Sequence, residues 1–509
     1  MALEDTVVVI LAAGKGTRLK SDVAKVLHRA GGRSLIEHVV RACVPLGAAK
    51  IFVVVGHQAA EVTAEIEPHG AHAVVQEPQN GTGHAMVVAR EAIGERAKTA
   101  LVLPGDAPLI RTETLRALVR AHRAGRAAAT ILTALIENPT GYGRIVRKKD
   151  GSVAAIVEEK SADAKQRAIR EINSSIYCFA LEKLWPCLAK ARPDNAHREI
   201  YLTDAIALLN QHKEKVLAQV AENAHEVLGC NTRAELAEVD RAFRRSKAAE
   251  LMEAGVTIQL PETVLIDPAV EVGRDTLIEP CVQLLGATRI GSGCAVRTGS
   301  VLIDSSLADG AEVRQHCLIT SSWLGPNTAV GPFAHLRDGA GLREGARVGN
   351  FVEVKKSVLG EGVKAMHLTY LGDATVGRGT NIGAGTITCN YDGVRKNPTT
   401  IGERVFVGSG TELVAPVNVG DGAYIAAGST ITQDVPADAL GIARARHENK
   451  PGWAAARRAQ IAANPRAEQK PKPAAKRAAT PAGNGSARPE SAAPHRKSSA
   501  KKKPAHTRS

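Results

Sequence analysis

Two rhythms of apolar and polar positions divide the chain. Over residues 1–230, short apolar runs alternate with longer amphipathic ones. TVVVIL (6–11), KIFVVVG (50–56) and TALVLPGD (99–106) read as buried strands. SLIEHVVRACVPLG (34–47), GHAMVVAREAIGE (83–95) and TETLRALVRAHRAG (112–125) read as helices. Strand–helix alternation of this kind predicts a Rossmann-like α/β domain with a mostly parallel sheet and helices on both faces. Ligands of such sheets bind beyond the C-terminal strand ends, where both GKGTR (14–18) and PGD (104–106) fall. Residues 232–254 carry Leu236, Val239, Phe243 and Leu251 on one apolar side of a single connecting helix.

From Val272 the period becomes six. Aliphatic residues stand at Val272, Ile278, Leu284, Ile290, Val296 and Leu302. The phase slips, resumes from Leu324 through Leu336 and Val348 to Val354, and returns from Val407 through Val419 to Ile431. Small or branched residues follow four positions later in the first run, at Thr276, Val282, Thr288, Cys294, Ser300 and Ser306. Neither a helix nor an alternating strand has this period. It predicts a left-handed parallel β-helix of hexapeptide repeats, with the aliphatic residues stacked inward coil upon coil. Between Ile382 and Val407 the polar stretch TITCNYDGVRKNPTT breaks the phase and predicts a loop extruded on one face, within reach of a neighbouring subunit. The expected organisation is therefore a nucleotide-binding domain at 1–231, a linker helix at 232–254, a β-helix at 255–455 and a basic tail at 456–509.

Composition changes this picture in two places. The chain has 509 residues and a formal charge of +14, of which +10 lies in 465–509, where twelve Lys or Arg meet two Glu. That Ala-, Pro- and Lys-rich tail has nothing to bury and is expected to be disordered: a solubilising extension, with weak binding to anionic polymers as the alternative. The eight cysteines form no CxxC pair, which argues against a zinc site or a thioredoxin-like motif and for a reduced, cytoplasmic protein. The N-terminus enters a strand directly, and no apolar run reaches membrane-spanning length, so membrane insertion is not expected.

The stretch ILAAGKGTRL (10–19) carries the first candidate chemistry. It fails the Walker A pattern at Val9 and Gly16, and the dinucleotide fingerprint at Leu19. What remains is a glycine turn with the cations Lys15, Arg18 and, downstream, Lys25. On these residues alone, a triphosphate cradle and a plain turn with solvated lysines stand level.

A longer set of motifs separates them. LAAGKGTRL, QNGTGHA (79–85), PGDAPL (104–109), TGYGRI (140–145), IVEEK (156–160), EIN (171–173) and CNT (230–232) resemble, in order, the sugar-1-phosphate nucleotidylyltransferases. With GNFVEVKKS (349–357), HLTYLGDATVG (367–377) and NIGAGTITCNYDG (381–393), nearly all of 5–455 resembles the bifunctional bacterial enzymes that join an N-acetylglucosamine-1-phosphate uridyltransferase to a glucosamine-1-phosphate acetyltransferase.

The resemblance implies roles. Leu11, Ala12, Ala13, Gly14, Gln76, Gly81 and Thr82 would frame the uridine of UTP, with Gly105 beside them. Arg18 and Lys25 would hold its phosphates and act catalytically. Asp106 and Asn231 would hold Mg²⁺, and Gly143, Glu158 and Asn173 would contact N-acetylglucosamine-1-phosphate. In the second half, His367 would be the general base. Asn390 would orient that histidine or the amine. Arg337, Lys355, Tyr370 and Asn381 would bind glucosamine-1-phosphate. Ala384, Asn390, Tyr391, Ser409, Ala427 and Arg444 would line the acetyl-CoA site. A homotrimer with active sites between subunits would follow. Four positions depart from the pattern: Ala24, Pro104, Ser175 and Met366, of which Ser175 either narrows the sugar pocket or is harmless. A nucleotidylyltransferase whose β-helix is only structural or regulatory is the alternative.

Overall fold

The computed structural model describes residues 3–191 and 199–464. Residues up to Arg444 form one compact unit; a second begins at Ala445. Within the second unit, helix α5 (Trp453–Ala463) has every side chain exposed. The expectation of a disordered tail falls largely on 465–509, outside the described residues.

The N-terminal half is built on strands β1 (Leu3–Ala12), β2 (Ala48–Val55), β3 (His72–Val75), β4 (Thr99–Pro104), β5 (Ala129–Leu135), β6 (Arg144–Arg147), β7 (Val153–Val157), β8 (Glu171–Ala180) and β9 (Val216–Val220). They lie side by side in the order β9-β5-β8-β4-β1-β2-β3, with the β6–β7 hairpin attached to β8. β1 is parallel to β2 and β4, while β8 runs antiparallel to β4 and β5. The continuous Val/Ile/Leu runs of β1, β2 and β4 are what a strand covered on both faces requires. Side chains from one face pack with helices α1 (Leu35–Cys43) and α3 (Thr112–Gly125). Those of the other face pack with α2 (Thr82–Ile93). In register, Leu11 at the end of β1 meets Pro104 at the end of β4, so the glycine turn and Asp106 emerge side by side.

Helix α4 (Arg233–Glu253) starts from a capping box, Thr232 accepting from Glu235 N and Glu235 accepting from Thr232 N. Its apolar residues do not share one side. Leu236, Val239 and Phe243 pack with Ala30 and Leu35 of the N-terminal half, whereas Ala248 and Leu251 join the core of the first β-helix coil. The two groups lie too far along the helix to face one neighbour, so α4 splints two cores. The Phe243 ring also stacks on His38 at 3.9 Å between centroids.

Beyond it the chain winds into a parallel β-helix. Coils pair residues 18 apart (Glu271 with Arg289) or 17 apart (Glu353 with Tyr370), three short strands to a coil. The aliphatic positions of the sixfold phase are buried from Ile278 to Ile431, with Val272 only partly covered at the first coil. The slip is visible: Ser306 is exposed and Ser305 takes the buried position, because the coils there shorten by one residue. Buried hydroxyls satisfy the turns, as when Thr276 Oγ1 donates to Gly291 O at 2.8 Å and accepts from Cys294 N at 3.1 Å. The expected extruded loop is present. Thr375 pairs with Thr400, and the added residues leave the solenoid around a Tyr391–Lys396 bridge.

Candidate functional sites

The first site is an open cleft of about 710 Å³ at the C-terminal ends of β1 and β4. Of the residues expected there, Leu11, Ala12, Ala13, Gly14, Arg18, Lys25, Gln76, Gly81, Thr82, Asp106, Asn173 and Asn231 line it. Gly105 and Gly143 are buried and do not line it, nor does Glu158, which is exposed. Gly105 N donates to Leu11 O at 2.9 Å, and Gly143 O accepts from Asn173 N at 2.8 Å. A Cβ on Gly143 would come within 3.4 Å of Glu158 Oε1. The Glu158 carboxyl is raised by burial first and by Asp204 second.

The turn depends on Gly16, which sits at φ 65° with its Cα against Lys25; a Cβ there would lie 2.4 Å from Lys25 Cβ. The same close approach delivers Lys25 to the cleft floor. Lys25 Nζ donates to Asn231 Oδ1 at 2.6 Å and pairs with Asp106, and Arg18 Nη2 donates to the same Asn231 oxygen at 2.6 Å. Asn231 itself is fixed by Glu235 Oε2, which accepts from its backbone N–H at 2.6 Å. Asp106 is no helix cap, since α3 begins at Thr112 with Arg111 as its cap. Its backbone carbonyl instead accepts from Cys230 N at 2.8 Å, tying the two metal candidates together.

Among the described residues no cluster of three or more His, Cys, Asp or Glu is fit to hold a metal. Asp106 and Asn231 nevertheless present oxygen donors that already attract two cationic side chains. One carboxylate and one amide suit a hard divalent cation that takes its remaining ligands from phosphates and water. Glu235 was missed by reading the sequence. Its signal was present, because Thr232 with Glu235 three residues on is a capping-box pattern.

The second site lies on the β-helix. Strands β10 (Arg347–Lys355) and β11 (Lys364–Gly372) pair in register and set Asn350 opposite His367. His367 Nδ1 lies 3.1 Å from Asn350 Oδ1. The imidazole is thus held by Asn350 rather than by Asn390, whose amide donates to Asp373 Oδ2 at 2.6 Å and to Tyr370 OH at 3.4 Å. A donor at Nδ1 leaves Nε2 with its lone pair free, which is the form a base requires. Coil by coil, Ala384, Ser409 and Ala427 continue the column that begins with Asn350 and His367. Arg444 ends it, donating to Ala427 O at 2.9 Å.

Tyr391 is exposed on the extruded loop with Lys396 4.5 Å over its ring. In the neighbouring group, Arg337 and Lys355 are register partners, and Tyr370 follows on the next coil. The Arg337 guanidinium is engaged by Glu353 at 2.8 Å and Asp338 at 2.9 Å, and the Glu353 hydrogen bond raises its pKa. Asn381 pairs with Lys364 one coil away. Cys389 is half-buried, its thiol raised by desolvation, which fits packing rather than nucleophilic chemistry.

Comparison with known proteins matches residues 8–201 to the MobA-like NTP transferase domain, 260–364 to the GMPPB C-terminal domain and 398–433 to the hexapeptide repeat of succinyl-transferase. The chain is 50% identical to the bifunctional protein GlmU of Koribacter versatilis over 457 residues, covering 89% of this chain and 97% of that one. It is 46% identical to that of Pelobacter propionicus, with 89% and 98% covered, and 48% identical to that of Solibacter usitatus, with 89% and 97% covered.

Proposed function

The chain belongs to the GlmU family of bifunctional enzymes, and from that premise we propose which residues carry each of its two transfers. The β-helix acetylates glucosamine-1-phosphate with acetyl-CoA. The N-terminal half then transfers UMP from UTP to N-acetylglucosamine-1-phosphate and releases pyrophosphate.

In uridyl transfer a phosphate oxygen of the sugar attacks the α-phosphorus while the bond to pyrophosphate breaks. Two anions must be brought together, so positioning and positive charge matter more than a base. Arg18 and Lys25 supply the charge, moving from Asn231 and Asp106 onto the phosphates. Leu11 to Gly14, Gln76, Gly81 and Thr82 hold the nucleoside, Gln76 being pinned by Gly81 O at 3.0 Å. Gly143, Glu158 and Asn173 contact the sugar. Asp106 and Asn231 hold a divalent cation, which we assign as Mg²⁺ on its preference for oxygen and phosphate ligands; it supplies charge neutralisation at the phosphates.

In acetyl transfer the amine of glucosamine-1-phosphate attacks the thioester carbonyl, and CoA leaves as the thiol. His367 Nε2 takes the amine proton, with Asn350 holding the ring. Lys355 and Arg337 face the sugar phosphate, and Tyr370 and Asn381 complete that pocket. Asn390, fixed by Asp373, orients the amine. The column Ala384, Ser409, Ala427 and Arg444, with Tyr391, lines the acetyl-CoA side. An exposed ladder of His316, Phe333, Phe351 and Leu368 runs beside His367, its rings stacked at 5.2 and 5.6 Å. That ladder supports a homotrimer in which a second copy covers the site. Eight free cysteines, most of them buried, support a reduced cytoplasmic setting.

The observation that carries the reading is the convergence of Arg18, Lys25, Asp106 and Asn231 at the strand ends in a chain that also stacks His367 on the column Ala384, Ser409 and Ala427. Incubation with glucosamine-1-phosphate, acetyl-CoA, UTP and Mg²⁺, following thiol and pyrophosphate separately, tests it. Both are expected, with pyrophosphate dependent on prior thiol release. Pyrophosphate without thiol, from added N-acetylglucosamine-1-phosphate only, would instead make the β-helix a structural appendage.

A further inference from the structure

Strand β8 is buried along most of its length and breaks at one point. Its register to β5 shifts between Asn173 and Ile176, and within that bulge Ser175 alone from Glu171 to Phe179 is exposed. Ser175 also sits at φ 61°, the one non-glycine residue inside a described strand of the N-terminal sheet with a left-handed backbone. Serine has no intrinsic preference for that conformation, and such outliers persist where the surroundings impose them.

The surroundings are specific. Ser174 turns inward and anchors the bulge, its hydroxyl donating to Leu132 O at 2.6 Å. Both serines border the cleft, and Ser175 is the exposed one. Its backbone N–H donates to Asn173 Oδ1 at 3.2 Å, and Asn173 Nδ2 donates to Tyr177 OH at 2.8 Å. The Ser175 hydroxyl stands at the cleft surface beside this pair.

We propose that Ser175 is a specificity-determining residue of uridyl transfer, its hydroxyl donating to an acceptor oxygen of the sugar 1-phosphate bound against Asn173. The proposal rests on reading the N-terminal cleft as a sugar-phosphate uridyltransferase site. The bulge holds the hydroxyl at the cleft wall, next to an Asn173 side chain that the Ser175 N–H and the Tyr177 hydroxyl fix in place.

Ser175→Gly suits the backbone and removes the hydroxyl; Ser175→Ala keeps the backbone strain and also removes it. Pyrophosphate release is measured for each with N-acetylglucosamine-1-phosphate and UTP varied in turn, alongside the melting temperature. Both variants are expected to raise KM for the sugar phosphate roughly 5- to 10-fold, the loss of one hydrogen bond, with KM for UTP unchanged. The glycine variant melts no lower than the parent. A sugar-phosphate KM that stays at the parental value in both variants overturns the proposal. So does an equal rise in both KM values that follows the melting temperature, which would make Ser175 purely structural. Absence of pyrophosphate release from the parent protein would remove the uridyltransferase reading itself, and the proposal with it.

Discussion

Asn231 accepts from both Arg18 and Lys25 while its backbone is held by Glu235, so one amide oxygen gathers cations from more than 200 residues away in sequence. Motif order placed these residues in one reaction; only the fold shows that they touch. The second site divides in the same way. His367 was legible, but its ring partner Asn350 was not, because the partner is set by a coil spacing of 17 residues that local spacing does not reveal. The residue lies within the quoted stretch GNFVEVKKS, and a search at the coil period would have found it. Asn350→Ala is expected to lower kcat for acetyl transfer and alter its pH profile, with little change in KM for glucosamine-1-phosphate. A loss confined to KM would place Asn350 in substrate binding instead.

Helix α3 lies on the sheet with His122 buried against Thr130 of β5, ring nitrogen to hydroxyl at 3.0 Å. Burial, reinforced by Arg123, lowers the His122 pKa to about 4. A histidine depressed in the folded state favours the native form while neutral. Its contribution is full above the ordinary value near 6.5 and is lost as pH falls towards 4. Fully protonated, the loss is about 3 kcal/mol. Denaturant melts of the parent and of His122→Gln between pH 7 and pH 4 should therefore converge as the pH drops, the parent losing more. Parallel curves would show that the imidazole is not held neutral. Element types were legible because each carries its own period, 3.6 for α3 and six for the coils. The division of α4 between two cores was not, since the spacing of its apolar residues does not say which neighbour each one meets.

At the scale of the molecule, an α/β half and a solenoid share one compact unit through α4, and each half keeps its own chemistry. Low aromatic content, 3%, is consistent with a solenoid filled by Val, Ile and Leu in layers about 4.8 Å apart. The coil that carries the extruded loop was legible as a broken phase, and the phase slip after Leu302 marks where a coil shortens from 18 residues to 17. Deletion after Asn464 removes most of the excess charge and no residue of either site. Both activities are expected to stay near the parental level, and a large loss in either would assign the tail to that site.

The central claim is that two independent sites operate in one chain. Reciprocal substitution tests it directly, with thiol and pyrophosphate followed separately for His367→Ala and Asp106→Ala. His367→Ala should lose acetyl transfer by on the order of 10²- to 10⁴-fold and release pyrophosphate normally from supplied N-acetylglucosamine-1-phosphate. Asp106→Ala should do the reverse. A folded His367→Ala protein that still acetylates, or an Asp106→Ala protein that still transfers UMP at the parental rate, would contradict the account.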